Sequence, residues 1–236
     1  MVEPTSRFDE IEIPLPEPVH DRTSVKGILG IPEWWPTGSR VSVVLAHGKD
    51  AEDPLLEGLQ RALTERKFLT LRFRFPFVEA EKSRPDPMHV LQRTFRAAVA
   101  ILGRDPTAAP AHLFVGGKNL GAQVAAQAAA ARLRVDGVFF LGYPLHKQGG
   151  GGELRDDPLY RVISPMLFVQ GTRDRHCDLD QLRKVLLRVG AVSKLHVADE
   201  ADHAFKVLKK SPRTPEDVEA EVLTALHDWI VKALGE

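Results

Sequence analysis

The chain has 236 residues, 43% of them hydrophobic, enough for one large domain with a substantial core. Lys plus Arg and Asp plus Glu number 32 each, so no basic surplus suggests nucleic acid and no acidic block suggests a disordered tail. A single cysteine, Cys177, excludes an intramolecular disulfide framework; no apolar run approaches a membrane span, and no apolar core near the start reads as a secretory signal, so a soluble cytoplasmic protein is expected.

The first 23 residues are rich in proline and acid and read as an extended lead-in or edge strand, ahead of one domain over 24–236. Apolar strands are predicted at 25–31, 41–46, 68–73, 112–115, 137–141, 166–170 and 194–197. Most are short, apolar on both faces and rich in Val, Phe and Leu, as strands covered by helices should be. Helices are predicted between them at 54–66, 87–103, 120–133, 179–189 and 215–234. Three open with a polar residue before proline: Asp53-Pro54, Asp86-Pro87 and Thr214-Pro215. Proline at the first helical position wastes no hydrogen bond, and the residue before it accepts one from the first turn. The last helix carries an apolar stripe of Val218, Val222, Leu226, Trp229 and Ile230. Alternation of this kind implies an α/β fold, with a mostly parallel central sheet and helices on both faces.

Gly149 to Gly152 read as a flexible surface loop, and the interval around them is too short for a folded lid or cap domain. Ligands in such sheets bind beyond the carboxyl ends of the strands, so this loop, 76–85 and 199–211 are expected to border the site.

The run Gly116-Gly117-Lys118-Asn119-Leu120-Gly121 has the glycine frame of a nucleophile elbow, Gly-x-Ser-x-Gly, with asparagine at the serine position. A strand precedes it and an alanine-rich helix follows, as the motif requires. Three other segments complete the pattern. Residues 43–46 form a strand ending in His47-Gly48-Lys49, where backbone N–H groups can point at a developing oxyanion. A later strand ends at Asp174, and His203 follows the final strand. In that geometry His203 is the base and Asp174 orients its ring. The N–H of Leu120 is one oxyanion donor, and Gly48 and Lys49 border the same position.

This set resembles the α/β-hydrolase superfamily, in its compact, lidless, dienelactone-hydrolase-like branch. Closer still is its resemblance to the group that includes a non-specific-lethal chromatin-complex subunit and a testis-expressed hydrolase-like protein. The matching phrases are Leu45-Ala46-His47-Gly48, Arg72-Phe73-Arg74-Phe75-Pro76, Gly116-Gly117-Lys118, Leu141-Gly142-Tyr143-Pro144-Leu145-His146 and Phe168-Val169-Gln170-Gly171-Thr172-Arg173-Asp174. The resemblance runs from about residue 41 to the C-terminal helix. It implies ester or thioester hydrolysis with no cofactor, on an acyl-type small molecule; Asn119 and Lys49 depart from the pattern.

Three readings of Asn119 stay open. A pseudo-hydrolase binds a ligand or a protein partner; His203 and Asp174 act as a general-base dyad; or the residue traps an otherwise active hydrolase, or deamidates to a carboxylate nucleophile. An enzyme predicts a closed apolar pocket over Asn119 and His203. A binding module predicts a shallow or filled one, with its apolar surface displaced to Trp34-Trp35 or the 76–85 loop. His47 reads as a structural histidine closing its turn, Lys118 as pointing to solvent or a neighbouring loop, and Lys49 as solvated. His176-Cys177-Asp178 matches no strong metal signature, so no metal site is expected.

Overall fold

The computed structural model describes residues 5–35, 40–148 and 153–235. In chain order the elements are β1 (Arg7–Val19), β2 (Arg22–Ile31), β3 (Val41–Ala46), α1 (Pro54–Glu65), β4 (Leu69–Phe73), α2 (Pro76–Glu79) and α3 (Met88–Ile101). Then follow β5 (His112–Lys118), α4 (Leu120–Ala130), β6 (Gly137–Leu141), β7 (Met166–Gly171), α5 (Leu179–Leu186), β8 (Ser193–Ala198) and α6 (Pro215–Ala233).

One eight-stranded sheet runs β1-β2-β4-β3-β5-β6-β7-β8. β1 and β2 pair antiparallel, and β2 pairs antiparallel with β4. From β4 to β8 every pairing is parallel. β1 is one of the two sheet edges, and its Pro14, Pro16 and Pro18 with Glu10, Glu12 and Glu17 suit a strand that must not recruit another. Among the described residues there is no cap domain, and no helix is long and apolar enough to cross a membrane. The stretch Gly149 to Gly152 lies outside the described residues.

Each face of the sheet has its own core. On one side Leu56, Leu59 and Leu63 of α1 and Val218, Val222, Leu226 and Trp229 of α6 cover Val43, Leu45, Phe114 and Leu167. On the other, Leu91 and Phe95 of α3, Val124 of α4 and Leu182 of α5 cover Val44, Leu71, Val115 and Phe168. β3 and β6 are buried along their whole length, which is why they carry no polar alternation.

Two of the three expected caps form. Asp53 accepts from the N–H groups of Leu55 and Leu56, and Thr214 forms a reciprocal capping box with Asp217. Asp86 does not cap: Pro87 takes the capping position without a side-chain bond, and the Asp86 carboxylate faces His20 Nε2 at 2.6 Å. A long-range partner has claimed it. The 76–85 segment, read as a loop, contains the short helix α2.

Candidate functional site

Strand β5 ends at Lys118, and α4 begins at Leu120, leaving Asn119 to make the whole turn. Its backbone is at φ 54°, ψ −108°, on the left-handed side that asparagine tolerates better than most residues. The turn is this tight because Gly117 and Gly121 lie directly against the end of β3. A β-carbon on either would lie 2.5 or 2.3 Å from the Ala46 carbonyl oxygen, inside any allowed contact. The Asn119 N–H is fixed to the Leu141 carbonyl of β6 at 3.0 Å.

β7 and β8 bring the other two groups. Asp174 follows β7, and its carboxylate is sealed from solvent. Oδ2 accepts from Gln170 Nε2 at 2.6 Å and faces His203 Nδ1 at 2.7 Å; Oδ1 accepts the His176 N–H at 2.7 Å. The carboxylate therefore holds the proton of His203 on Nδ1 and leaves Nε2 as an acceptor. Asn119 supplies the donor. With its amide oriented to satisfy its neighbours, Nδ2 lies 3.1 Å from His203 Nε2, 3.1 Å from the His203 carbonyl and 3.2 Å from the Gly142 carbonyl. Three acceptors thus converge on one amide nitrogen.

Gly142 permits that approach. It sits at φ +64°, and a β-carbon there would meet Asn119 at 2.9 Å and the His203 carbonyl at 3.0 Å. The ring of His176 lies on that of His203, with centroids 4.3 Å apart. Burial and the neighbouring His203 hold the His176 imidazole below its ordinary pKa.

Family comparison agrees with this architecture. A family model described as an alpha/beta hydrolase domain matches residues 39–231. The chain belongs to the alpha/beta hydrolase family. Among solved structures, a dienelactone hydrolase from Anabaena variabilis is similar over 95% of this chain and 98% of its own, at 19% identity and a TM-score of 0.71. A lidless α/β serine hydrolase from Xanthomonas campestris is similar over 94% and 95%, at 20% identity and a TM-score of 0.68. Est1E from Butyrivibrio proteoclasticus, with ferulic acid bound, is similar over 96% and 100%, at 13% identity and a TM-score of 0.72. Identities this low speak for the fold, and all three share it along nearly their full length.

In this hydrolase-family chain, an open groove of about 540 Å³ runs beside Asn119, between Gly48, Lys49 and Asp53 on one wall and Phe205 and Lys206 on the other. It is open, and its walls mix charged side chains with apolar ones such as Leu55, Phe205 and Val207, so the site departs from the closed apolar pocket expected of an enzyme. Lys49 is exposed and borders the groove, while Gly48 is buried with Asn119 against it: a β-carbon on Gly48 would lie 3.4 Å from that of Asn119. Leu120 is the first residue of α4, where helix geometry leaves the N–H without an intrahelical partner. Trp34 is 64% exposed, whereas Trp35 packs against the core and donates from Nε1 to the Ala108 carbonyl.

Of the two readings for Lys118, solvent or a neighbouring loop, the structure takes the loop. Lys118 is buried and reaches Asp53 at 2.6 Å, so one carboxylate both caps α1 and neutralises the lysine beside Asn119. Cys177 is buried, and desolvation raises its thiol far above the usual range, which leaves it unreactive. Among the described residues no group of three or more His, Cys, Asp or Glu side chains is placed to hold a metal ion. His176, Cys177 and Asp178 point to different tasks; Asp178 caps α5.

Two participants escape a sequence reading, Gln170 and His176. Gln170 is the one polar side chain in a fully buried strand, four residues before Asp174, and that anomaly is the available signal. Nothing local distinguishes His176.

His47 closes its turn as expected. Nδ1 bonds the Gly48 carbonyl at 2.9 Å, and Nε2 accepts the Phe75 N–H at 2.9 Å, which requires a neutral ring. Burial pushes its pKa down to about 4 from 6.5. Below pH 6.5 the unfolded chain then binds a proton that the folded chain refuses, so stability falls as pH drops and the loss levels off near pH 4. Denaturant unfolding should show the stability advantage over a His47→Gln variant shrinking by about 3 kcal/mol from pH 7 to pH 4. A pH-independent difference would show that the ring is not held neutral.

Proposed function

We propose that this alpha/beta hydrolase is impaired as a serine hydrolase, with Asn119 at the nucleophile position, and binds an acyl-type small molecule or a protein partner in the groove beside it. One observation carries the reading: the Asn119 amide nitrogen sits 3.1 Å from His203 Nε2, the lone pair a serine hydroxyl would use. A carboxamide cannot be deprotonated to attack an ester at neutral pH, and it occupies the base that would activate anything else. The 2.7 Å contact between His203 and Asp174 supports a relict triad geometry, with Gly48, Lys49 and Leu120 beside the oxyanion position.

Ligand class follows from the relatives: a dienelactone hydrolase acts on a lactone, and Est1E holds ferulic acid, so acyl compounds suit this fold. The resemblance to the group with a chromatin-complex subunit favours a protein as the other occupant. The single buried cysteine suits a reducing, cytoplasmic setting.

A second reading keeps His203 and Asp174 as a general-base dyad, favoured by their intact contact. The two readings separate experimentally. Ester hydrolysis gained on Asn119→Ser and lost again on adding His203→Ala supports the first; hydrolysis already present in the parent and abolished by His203→Ala alone supports the second.

A further inference from the structure

A different part of the sheet carries a second site. Strand β4 and the residue after it alternate two chemistries: Leu69, Leu71 and Phe73 enter one core, whereas Thr70, Arg72 and Arg74 fall on the opposite face. Register places Arg72 between Ile28 of β2 and Leu45 of β3. An arginine inside a strand flanked on both sides needs a reason.

Its guanidinium is fixed rather than loose. Nε donates to Gln60 Oε1 at 2.7 Å and Nη1 to Glu57 Oε1 at 3.3 Å. Gln60 is itself buried and anchored to the Ile28 carbonyl at 2.8 Å. The Arg72 side chain is only 18% exposed. Among the described residues Nη2 has no hydrogen-bond partner, yet it is not one of the polar atoms sealed from solvent without a partner. Arg72 lines a cavity of about 200 Å³ together with Ile28, Leu45 and Leu56, with Lys26 and Arg74 also on its wall. Asn119 does not line this cavity. Each cation there has a carboxylate partner, Lys26 with Glu10, Arg74 with Glu52 and Arg72 with Glu57, so what the site offers is the unpaired Nη2 of Arg72.

We propose that this cavity is a second binding site, which takes a small organic carboxylate with an apolar body. The unpartnered Nη2 of Arg72 offers a carboxylate a charge-assisted hydrogen bond, and the leucine and isoleucine floor matches the body. The volume is below the roughly 300–1,000 Å³ of drug-sized sites and suits a molecule the size of benzoate or hexanoate. The inference stands independently of what Asn119 does.

Titration of the full chain with benzoate, hexanoate and neutral benzamide, followed through methyl and arginine side-chain NMR signals, tests it. Saturable shifts centred on Ile28, Leu45, Leu56 and Arg72 are expected with the two acids and not with benzamide. Arg72→Gln should weaken binding by about tenfold or more, as loss of a charge-assisted pair does. Ala51→Phe, which fills the cavity from its wall and leaves Arg72 in place, should block binding even if the arginine variant folds poorly. No saturable shifts at millimolar acid, equal response to benzamide, or shifts confined to the Asn119 groove would each overturn the proposal.

Discussion

Replacing Asn119 with serine is expected to raise hydrolysis of a short-chain aryl ester by between about 10³ and 10⁶-fold over the parent. The upper figure follows from the roughly millionfold loss, about 8 kcal/mol of barrier, when a serine hydrolase loses only its serine. The lower figure allows for an open groove, charged in part, that positions an apolar acyl group less well than a closed pocket does. The exchange is local: a hydroxyl would keep the His203 Nε2 contact and give up the bonds from the amide to the carbonyls of His203 and Gly142. Serine tolerates the φ of 54° less well than asparagine, which costs about 1 kcal/mol of stability and does not unfold the chain. Initial rates with esters and thioesters of graded acyl length, beside a thermal melt, check both statements. A folded variant no faster than its parent would mean that the oxyanion donors or the acyl site are missing as well.

Asp174→Ala is expected to lower stability by about 3–5 kcal/mol, or roughly 10 °C in Tm, far more than a surface carboxylate would. The side chain is fully buried and accepts from Gln170 Nε2, the His176 N–H and His203 Nδ1, so its removal strands three donors. Gln170 is fully buried as well; its amide oxygen accepts the Tyr143 N–H at 3.0 Å, so the disturbance passes into the β6–β7 crossover. His203→Ala should cost much less, because His203 is the outermost member and Asp174 keeps its other two donors. Equal, small losses for both variants in denaturant unfolding would show that Asp174 is not anchored as described.

The sequence discloses most of what is local here. β6 is apolar at every position and β3 at every position but Ser42, and their limits follow directly from those runs. Asp53 and Thr214 announce α1 and α6, because capping depends on neighbours within three residues. Asn119 is legible through its glycine frame, and the order of Asp174 and His203 along the chain makes their meeting expected. What hides is set by contacts across the sheet. Asp86 resembles Asp53 in sequence but is drawn off by His20, 66 residues away. Lys118 flanks the turn and reads as pointing to solvent or a neighbouring loop, and only the structure decides for the loop, where Asp53 draws it inward. Gly142, Gln170 and His176 gain their roles only when β6, β7 and β8 lie side by side. Arg72 belongs to a visible alternation in β4, but only strand order shows that it faces a cavity.

The idea that a working site lacks only its attacking atom is tested most directly by covalent labelling. Parent protein and the Asn119→Ser variant would be incubated with a small fluorophosphonate, and intact mass would be recorded for each. One adduct on the variant, mapped to position 119 and abolished by adding His203→Ala, with no adduct on the parent, is the predicted result. A folded variant that stays unlabelled, or a parent that labels as readily, would contradict it.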